Sequence, residues 1–197
     1  MRSVLTTLVG MFALAPGVAL AHPGHGDASG FMSGLAHPAT GIDHILAMIA
    51  VGVLAAQLGG RALWLVPLGF VVVMAVAGGV AMAGLQLPLA EVGIALSVIV
   101  LGLAVTLPRK LPALAATALV GFFGVFHGHV HGTEMPAAAS ALAYVTGFLS
   151  ATVLLQATGV SLGLLFGSEG KGLGYRVVQT AGGVMALFGA AALVSAV

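Results

Sequence analysis

SGLAHPATGIDHILAMIAVGVLAAQ, Ser33 to Gln57, places two histidines and an aspartate in a run otherwise apolar enough to cross a bilayer. About 20 apolar residues suffice for a spanning helix. An ionised Asp at the centre of such a helix costs about 2.5 to 3.5 kcal/mol on insertion scales, so ionisable groups there mark function by default. The stretch predicts a membrane helix whose polar residues do more than anchor it.

The remainder of the chain agrees with that reading. Its 197 residues are 60% hydrophobic and 6% charged, the composition of an all-α polytopic membrane protein and not of a soluble domain. Further spans are predicted over Leu63 to Ala83, Ala90 to Leu107, Leu111 to His131, Ala137 to Phe166 and Tyr175 to Val197, six in all. The fifth run is longer than a crossing requires, which predicts a tilt, a kink near Gly159 or Gly163, or an interfacial end.

The beginning of the chain reads as a targeting segment. Arg2 precedes an apolar stretch from Val4 to Leu20, and Ala19-Leu20-Ala21 has the small-x-small form of a cleavage site. Residues 1–21 are expected to be a cleaved signal peptide, with an uncleaved first helix as the alternative. Residues 22–32 then form a periplasmic segment in which His22 and His25 could capture a divalent cation, and 33–197 form the six-helix domain. Cleavage leaves the N-terminus outside. Arg61, Arg109, Lys110, Lys171 and Arg176 then all fall in or beside cytoplasmic loops, as the positive-inside rule requires. The predicted orientation is N-out and C-out, and three spans followed by three in the opposite sense permit an inverted repeat. The two halves show no residue-level self-similarity.

The loops are too short for a nucleotide-binding fold, and no phosphate-binding loop motif occurs. Neither an ATPase subunit nor a nucleic-acid partner is implied; the expected partners are the lipid bilayer and a metal ion. There is no cysteine, so a metal must be bound by imidazole, carboxylate, thioether or backbone oxygen.

On a continuous helix His37 and His44 share one face, about 10.5 Å apart along the axis, and Met48 extends the stripe. Asp43 borders it, placed either to ligate a cation or to orient an imidazole. Pro38 and Gly41 weaken regular helix there, so the helix is free to begin only near Gly41. A second cluster, FHGHVHGTE from Phe126 to Glu134, spaces His127 and His131 by one helical turn, with Glu134 following. Gly124, Gly128 and Gly132 run beside it as a small-xxx-small ridge that admits a neighbouring helix. With Glu91, both clusters fall toward the outer side. Asp43, Glu91 and Glu134 around neutral imidazoles suit nickel, cobalt or zinc better than magnesium or calcium. His129 reads as an interfacial residue, Met48 and Met74 as packing, and Phe70 as packing or a gate.

At these residues the chain resembles the HupE/UreJ family of bacterial nickel permeases, whose signatures HPxxGxDH and FHGxxHGxE read here as HPATGIDH and FHGHVHGTE. The resemblance extends along the whole chain in length, motif order and span layout. It implies import of Ni²⁺ as substrate across the inner membrane for hydrogenase or urease maturation, with no prosthetic cofactor and no catalytic residue. It carries His37, Asp43, His44, His131 and Glu134 as motif positions and points to Phe70 and Glu91 outside them. Cobalt is the alternative cargo. Readings from other classes are an intramembrane zinc hydrolase and a metal sensor that binds without transporting.

Overall fold

The computed structural model describes residues 26–107, 111–137, 139–167 and 172–196. The expected signal peptide, His22 and His25, and Arg109, Lys110 and Lys171 lie outside the described residues. Within them the chain is helical: α1 (Gly26–Ala36), a 3-10 turn (His37–Thr40), α2 (Ile42–Leu58), α3 (Ala62–Met82), α4 (Ala90–Thr106), α5 (Ala113–Thr133), α6 (Ala141–Leu162), a π turn (Gly163–Gly167) and α7 (Leu173–Ala196).

Among the described residues, four segments are long and apolar enough to cross a membrane: α3, α5, α6 with its π turn, and α7. The first predicted span is not one straight helix. Gly30–Thr40 and Ile42–Leu58 meet at 87°, and the joint is Gly41, which is extended at φ −116° and ψ 119°. The cause is local. Pro38 has no N–H to continue α1 and disfavours helix at the residue before it, while the Thr40 hydroxyl closes the 3-10 turn by donating to the His37 carbonyl at 2.7 Å. The expected straight stripe of His37, His44 and Met48 is therefore replaced by a corner, with Met48 buried in the core. Counted as one broken span, this pair makes a fifth candidate. α4 is shorter, 17 residues, or about 25 Å of helix against a hydrocarbon core of about 30 Å. In the long fifth run the α-helix gives way to the π turn at Gly163, and the two together form one 27-residue candidate span.

α3 packs most extensively on α5, α4 on α7, and α6 on both α1 and α2. Glycine permits the first of these contacts: a Cβ on Gly128 would collide with the Met74 carbonyl, and one on Gly132 with that of Gly78. Contacts this close supply packing between helices that lipid itself does not drive together. α3 shows the membrane pattern plainly. Val66, Phe70 and Met74 are buried, whereas Leu68, Val72 and Val76 are exposed, so both faces are apolar and only one meets protein. The core runs from these residues through Val51, Leu54, Val98, Leu101, Tyr144 and Phe148.

The corner, the start of α4, the end of α5 and the start of α6 gather at one end of the bundle. Arg61 stands at the other end, at the start of α3.

Candidate metal centre

The 87° corner brings both His37 and His44 against one ring, that of His131 on α5. The His37 and His131 centroids are 4.9 Å apart, and those of His44 and His131 4.7 Å. His127, one turn before His131, lies 5.0 Å from His44. Four imidazoles thus form a continuous chain, His37 to His131 to His44 to His127, packed edge to face. His127 and His131 are fully buried.

Carboxylates and a hydroxyl flank this chain and set which nitrogens are free. His37 Nε2–H donates to Glu134 Oε2 at 3.0 Å. His44 Nδ1–H donates to Asp43 Oδ1 at 2.9 Å, and the same oxygen accepts the His44 backbone N–H at 2.8 Å. The Ser97 hydroxyl of α4 donates to the Ile94 carbonyl at 2.6 Å and so accepts from His127 Nε2–H at 2.9 Å. A neutral imidazole bonded at one nitrogen keeps a lone pair on the other. Those other nitrogens, His44 Nε2 and His127 Nδ1, have no hydrogen-bond partner among the described residues, and neither nitrogen of His131 has one. Buried polar atoms are normally paired, so a run of unpaired imidazole nitrogens is a donor set suited to a ligand. In this arrangement Asp43 orients His44, as carboxylates commonly orient metal-binding imidazoles.

A cavity of about 210 Å³ opens on this array, lined by His37, Thr40, Gly41, Asp43, His44, Glu91, Val130, His131 and Glu134. Three of these residues are carboxylates and none is Lys or Arg, so the field inside favours a cation. Glu91 enters from the first turn of α4, directly after Leu89, whose backbone is left-handed at φ 58°. That conformation costs a non-glycine residue about 1 to 2 kcal/mol and turns the chain into α4 beside the cavity. Among the described residues, no three His, Asp or Glu side chains stand arranged to hold a metal ion as they are. Their rings face one another and must turn to share one ion.

The sequence-predicted residues separate into three groups. His37, Asp43, His44, Glu91, His131 and Glu134 meet at the cavity. His127 lies behind His44, and Phe70 behind His127 at 5.5 Å between ring centroids, fully buried; the two close the inner side of the array. His129 turns away: its Nε2 accepts the Leu87 N–H at 2.9 Å and holds the loop before α4. It is buried rather than interfacial. The second motif supplies Glu134 differently from expectation, because α5 ends at Thr133 and Glu134 caps it through its N–H to the Val130 carbonyl, yet the carboxylate still reaches His37.

Three contributors were not apparent beforehand. Phe148 stacks on His131 at 5.2 Å and 24°, Tyr144 lies 5.7 Å from His37, and Ser97 holds His127. Tyr144 and Phe148 occupy one face of α6, a helical repeat common to any packed helix, and Ser97 has no motif around it.

The glycine of the first motif has a steric role. A Cβ on Gly41 would lie 2.6 Å from Asp43 Oδ1 and 2.8 Å from His44 Nδ1. Gly41→Ala is therefore expected to push the Asp43–His44 pair apart and cut metal binding by about tenfold, the low end of losses from disturbing groups behind metal ligands. The melting temperature of the purified protein should stay near that of wild type. Calorimetric titration with Ni²⁺ beside a thermal melt checks both parts.

No solved structure matches the chain. Among curated proteins it is similar to Protein HupE of Rhizobium leguminosarum bv. viciae, 48% identical over 194 residues that cover 98% of each chain. The family model described as HupE / UreJ protein matches residues 9–192. The chain belongs to the HupE/UreJ family.

Proposed function

We propose that this protein is a permease that carries Ni²⁺ across the bacterial inner membrane into the cytoplasm, supplying hydrogenase or urease maturation. The observation that carries this reading is the chain of four imidazoles, three of them (His44, His127 and His131) with unpaired nitrogens among the described residues, flanked by Asp43 and Glu134 and opening on an acidic cavity. Imidazole with carboxylate suits a borderline divalent ion such as nickel. Membership of a family whose members are generally permeases rather than enzymes supports the direction of the argument.

In this reading the protein crosses the membrane six times, with the broken corner helix and the short α4 each counted as a span, N-terminus and C-terminus outside. The cavity then faces the periplasm. His22 and His25, freed by signal cleavage, raise the local metal concentration, and the ion exchanges hydration water for His37, His131 and His44. Glu91 and Glu134 compensate its charge at the mouth. Phe70 and His127 form the barrier on the inner side.

Ligating imidazoles must be unprotonated, so protons and metal compete for the same nitrogens. Lowering external pH at a fixed proton gradient should reduce Ni²⁺ uptake, and Asp43→Asn should reduce it at every pH, because the amide supplies no charge. Radioactive nickel accumulation in nickel-starved cells, with variants matched for membrane abundance and with cobalt and zinc as competitors, tests both. Undiminished uptake by Asp43→Asn would contradict the assignment. Stimulation by an inward proton gradient at constant external pH would replace a simple facilitator by proton coupling.

A further inference from the structure

Ser97 and His127 stand behind the acidic cavity: neither lines it, and both are fully buried. A hydroxyl and an imidazole buried together in lipid need a reason, because two apolar side chains would fill the same space at less cost. The pair is also held in register. A Cβ on Gly93, one turn before Ser97 on α4, would collide with the Phe126 ring, so the glycine seats α4 against α5 at the level of His127.

The hydrogen bonds decide which nitrogen of His127 is a donor to a metal. The Ser97 hydroxyl gives its proton to the Ile94 carbonyl at 2.6 Å and offers His127 Nε2 only a lone pair, at 2.9 Å. The proton of the neutral ring is thereby fixed on Nε2, and Nδ1 keeps its lone pair. Asp43 does the same for His44 by accepting from Nδ1–H at 2.9 Å, which leaves the lone pair on Nε2. Both of these nitrogens are buried without a hydrogen-bond partner among the described residues.

The spacing of the rings suits one ion. An imidazole nitrogen lies about 2.0 to 2.1 Å from a bound zinc-like metal, which puts the ring centroid about 3.2 Å from the ion and two centroids, in an octahedral or tetrahedral shell, about 4.5 to 5.2 Å apart. The His44 and His127 centroids are 5.0 Å apart and those of His44 and His131 4.7 Å, so the rings can share an ion by turning while the helices stay in place. His131, bonded through neither nitrogen, is the ring free to turn. Its spacing from His127, four residues on α5, is the one by which a single helix presents two imidazoles to one metal.

The donors here differ from those of the outer cavity. There Asp43, Glu91 and Glu134 offer oxygen, which Mg²⁺ and Ca²⁺ accept readily. Among the described residues no carboxylate hydrogen-bonds to His127 or His131. We infer that His44, His127 and His131 form an inner, all-imidazole station for the same cation, which selects borderline ions over hard ones, and that Ser97 is its positioning residue. The inference rests on the transport reading above for the identity of the cation. An ion moving inward from the carboxylates must exchange oxygen for nitrogen, which suits nickel and not magnesium or calcium.

Purified full-length protein loaded with one equivalent of Ni²⁺ is expected to show three imidazole ligands by X-ray absorption, and His127→Gln two. Mg²⁺ should displace the ion from His127→Gln at a concentration at least about tenfold lower than from wild type. Ser97→Ala removes only the acceptor and should lower Ni²⁺ affinity by about tenfold with a melting temperature near that of wild type, whereas Ser97→Thr, which keeps the hydroxyl, should recover most of the loss. Mg²⁺ competition should strengthen in Ser97→Ala as well, so the test survives a His127→Gln that fails to fold. An unchanged imidazole count and unchanged Mg²⁺ competition overturn the inner station, and wild-type affinity in Ser97→Ala overturns the role of Ser97; wild-type uptake, measured separately, leaves the permease standing in both cases. Binding with the expected imidazole count but no entry into liposomes overturns the permease and leaves the station as a binding site. No Ni²⁺ binding by the wild-type protein overturns both.

Discussion

His131→Ala is expected to abolish the proposed Ni²⁺ uptake, lowering it by at least about a hundredfold, the upper range seen when only the groups behind a metal ligand are lost. The expectation follows from position. Among the described residues His131 is the one imidazole in ring contact with both His37 and His44, and both its nitrogens lack hydrogen-bond partners there. Removing it separates the corner half of the array from the α5 half. It also leaves Phe148 without the ring on which it stacks, so some loss of stability accompanies the loss of function. His131→Gln preserves most of the volume and a polar tip, and should retain the fold while remaining inactive. Uptake assays on both variants, normalised to folded protein by size-exclusion profile, separate the two effects. Substantial uptake by His131→Gln would remove His131 from the transport path.

Gly128→Leu has the largest expected effect on stability. A Cβ at Gly128 would strike the Met74 carbonyl oxygen. The obstacle is backbone, which cannot swing aside as a side chain can, so the cost exceeds the about 1 to 3 kcal/mol of ordinary overpacking. α3 and α5 would be forced apart along the contact that positions Phe70 against His127. The variant should fail to accumulate as folded protein in the membrane, or should unfold in detergent many degrees below wild type. Gly79→Leu is the matched control: it lies on the same helix pair, but nothing stands within 4 Å of its Cβ. Equal melting temperatures for the two variants would show that the α3–α5 contact is looser than described.

The sequence made the motifs legible because intramembrane His, Asp and Glu are costly enough to stand out without any knowledge of the fold. His37, Asp43, His44, Glu91, His131 and Glu134 do meet. The reason for the meeting was not legible. Seven-residue spacing on a straight helix places His37 and His44 one above the other, whereas the chain turns by 87° at Gly41 and brings both rings into contact with His131. Pro38 and Gly41 signalled weakness in the helix, but neither residue specifies the angle, which depends on α1 lying against α6. There Gly34 and Gly147 remove the side chains that would keep the helices apart.

Other features were hidden by the solvent. In water, the inner face of a helix is marked by hydrophobic periodicity. In lipid, Leu68, Val72 and Val76 are as apolar as Val66, Phe70 and Met74, so the sequence of α3 does not say which face packs. Residues supplied by distant helices were invisible for the same reason. Ser97, Tyr144 and Phe148 acquire meaning only from the histidines beside them. Glycine ridges were the exception. Gly124, Gly128 and Gly132 announced a close helix contact, and α3 fills it.

The central claim is that the buried imidazole array passes a divalent metal through the membrane. It is tested most directly by reconstituting the purified protein alone into liposomes that hold a nickel-responsive dye and adding Ni²⁺ outside. The account predicts saturable entry that requires the protein and is lost in His131→Gln. Saturable Ni²⁺ binding to the same preparation with no entry, under either an imposed proton gradient or none, would contradict it and leave a protein that binds metal without moving it.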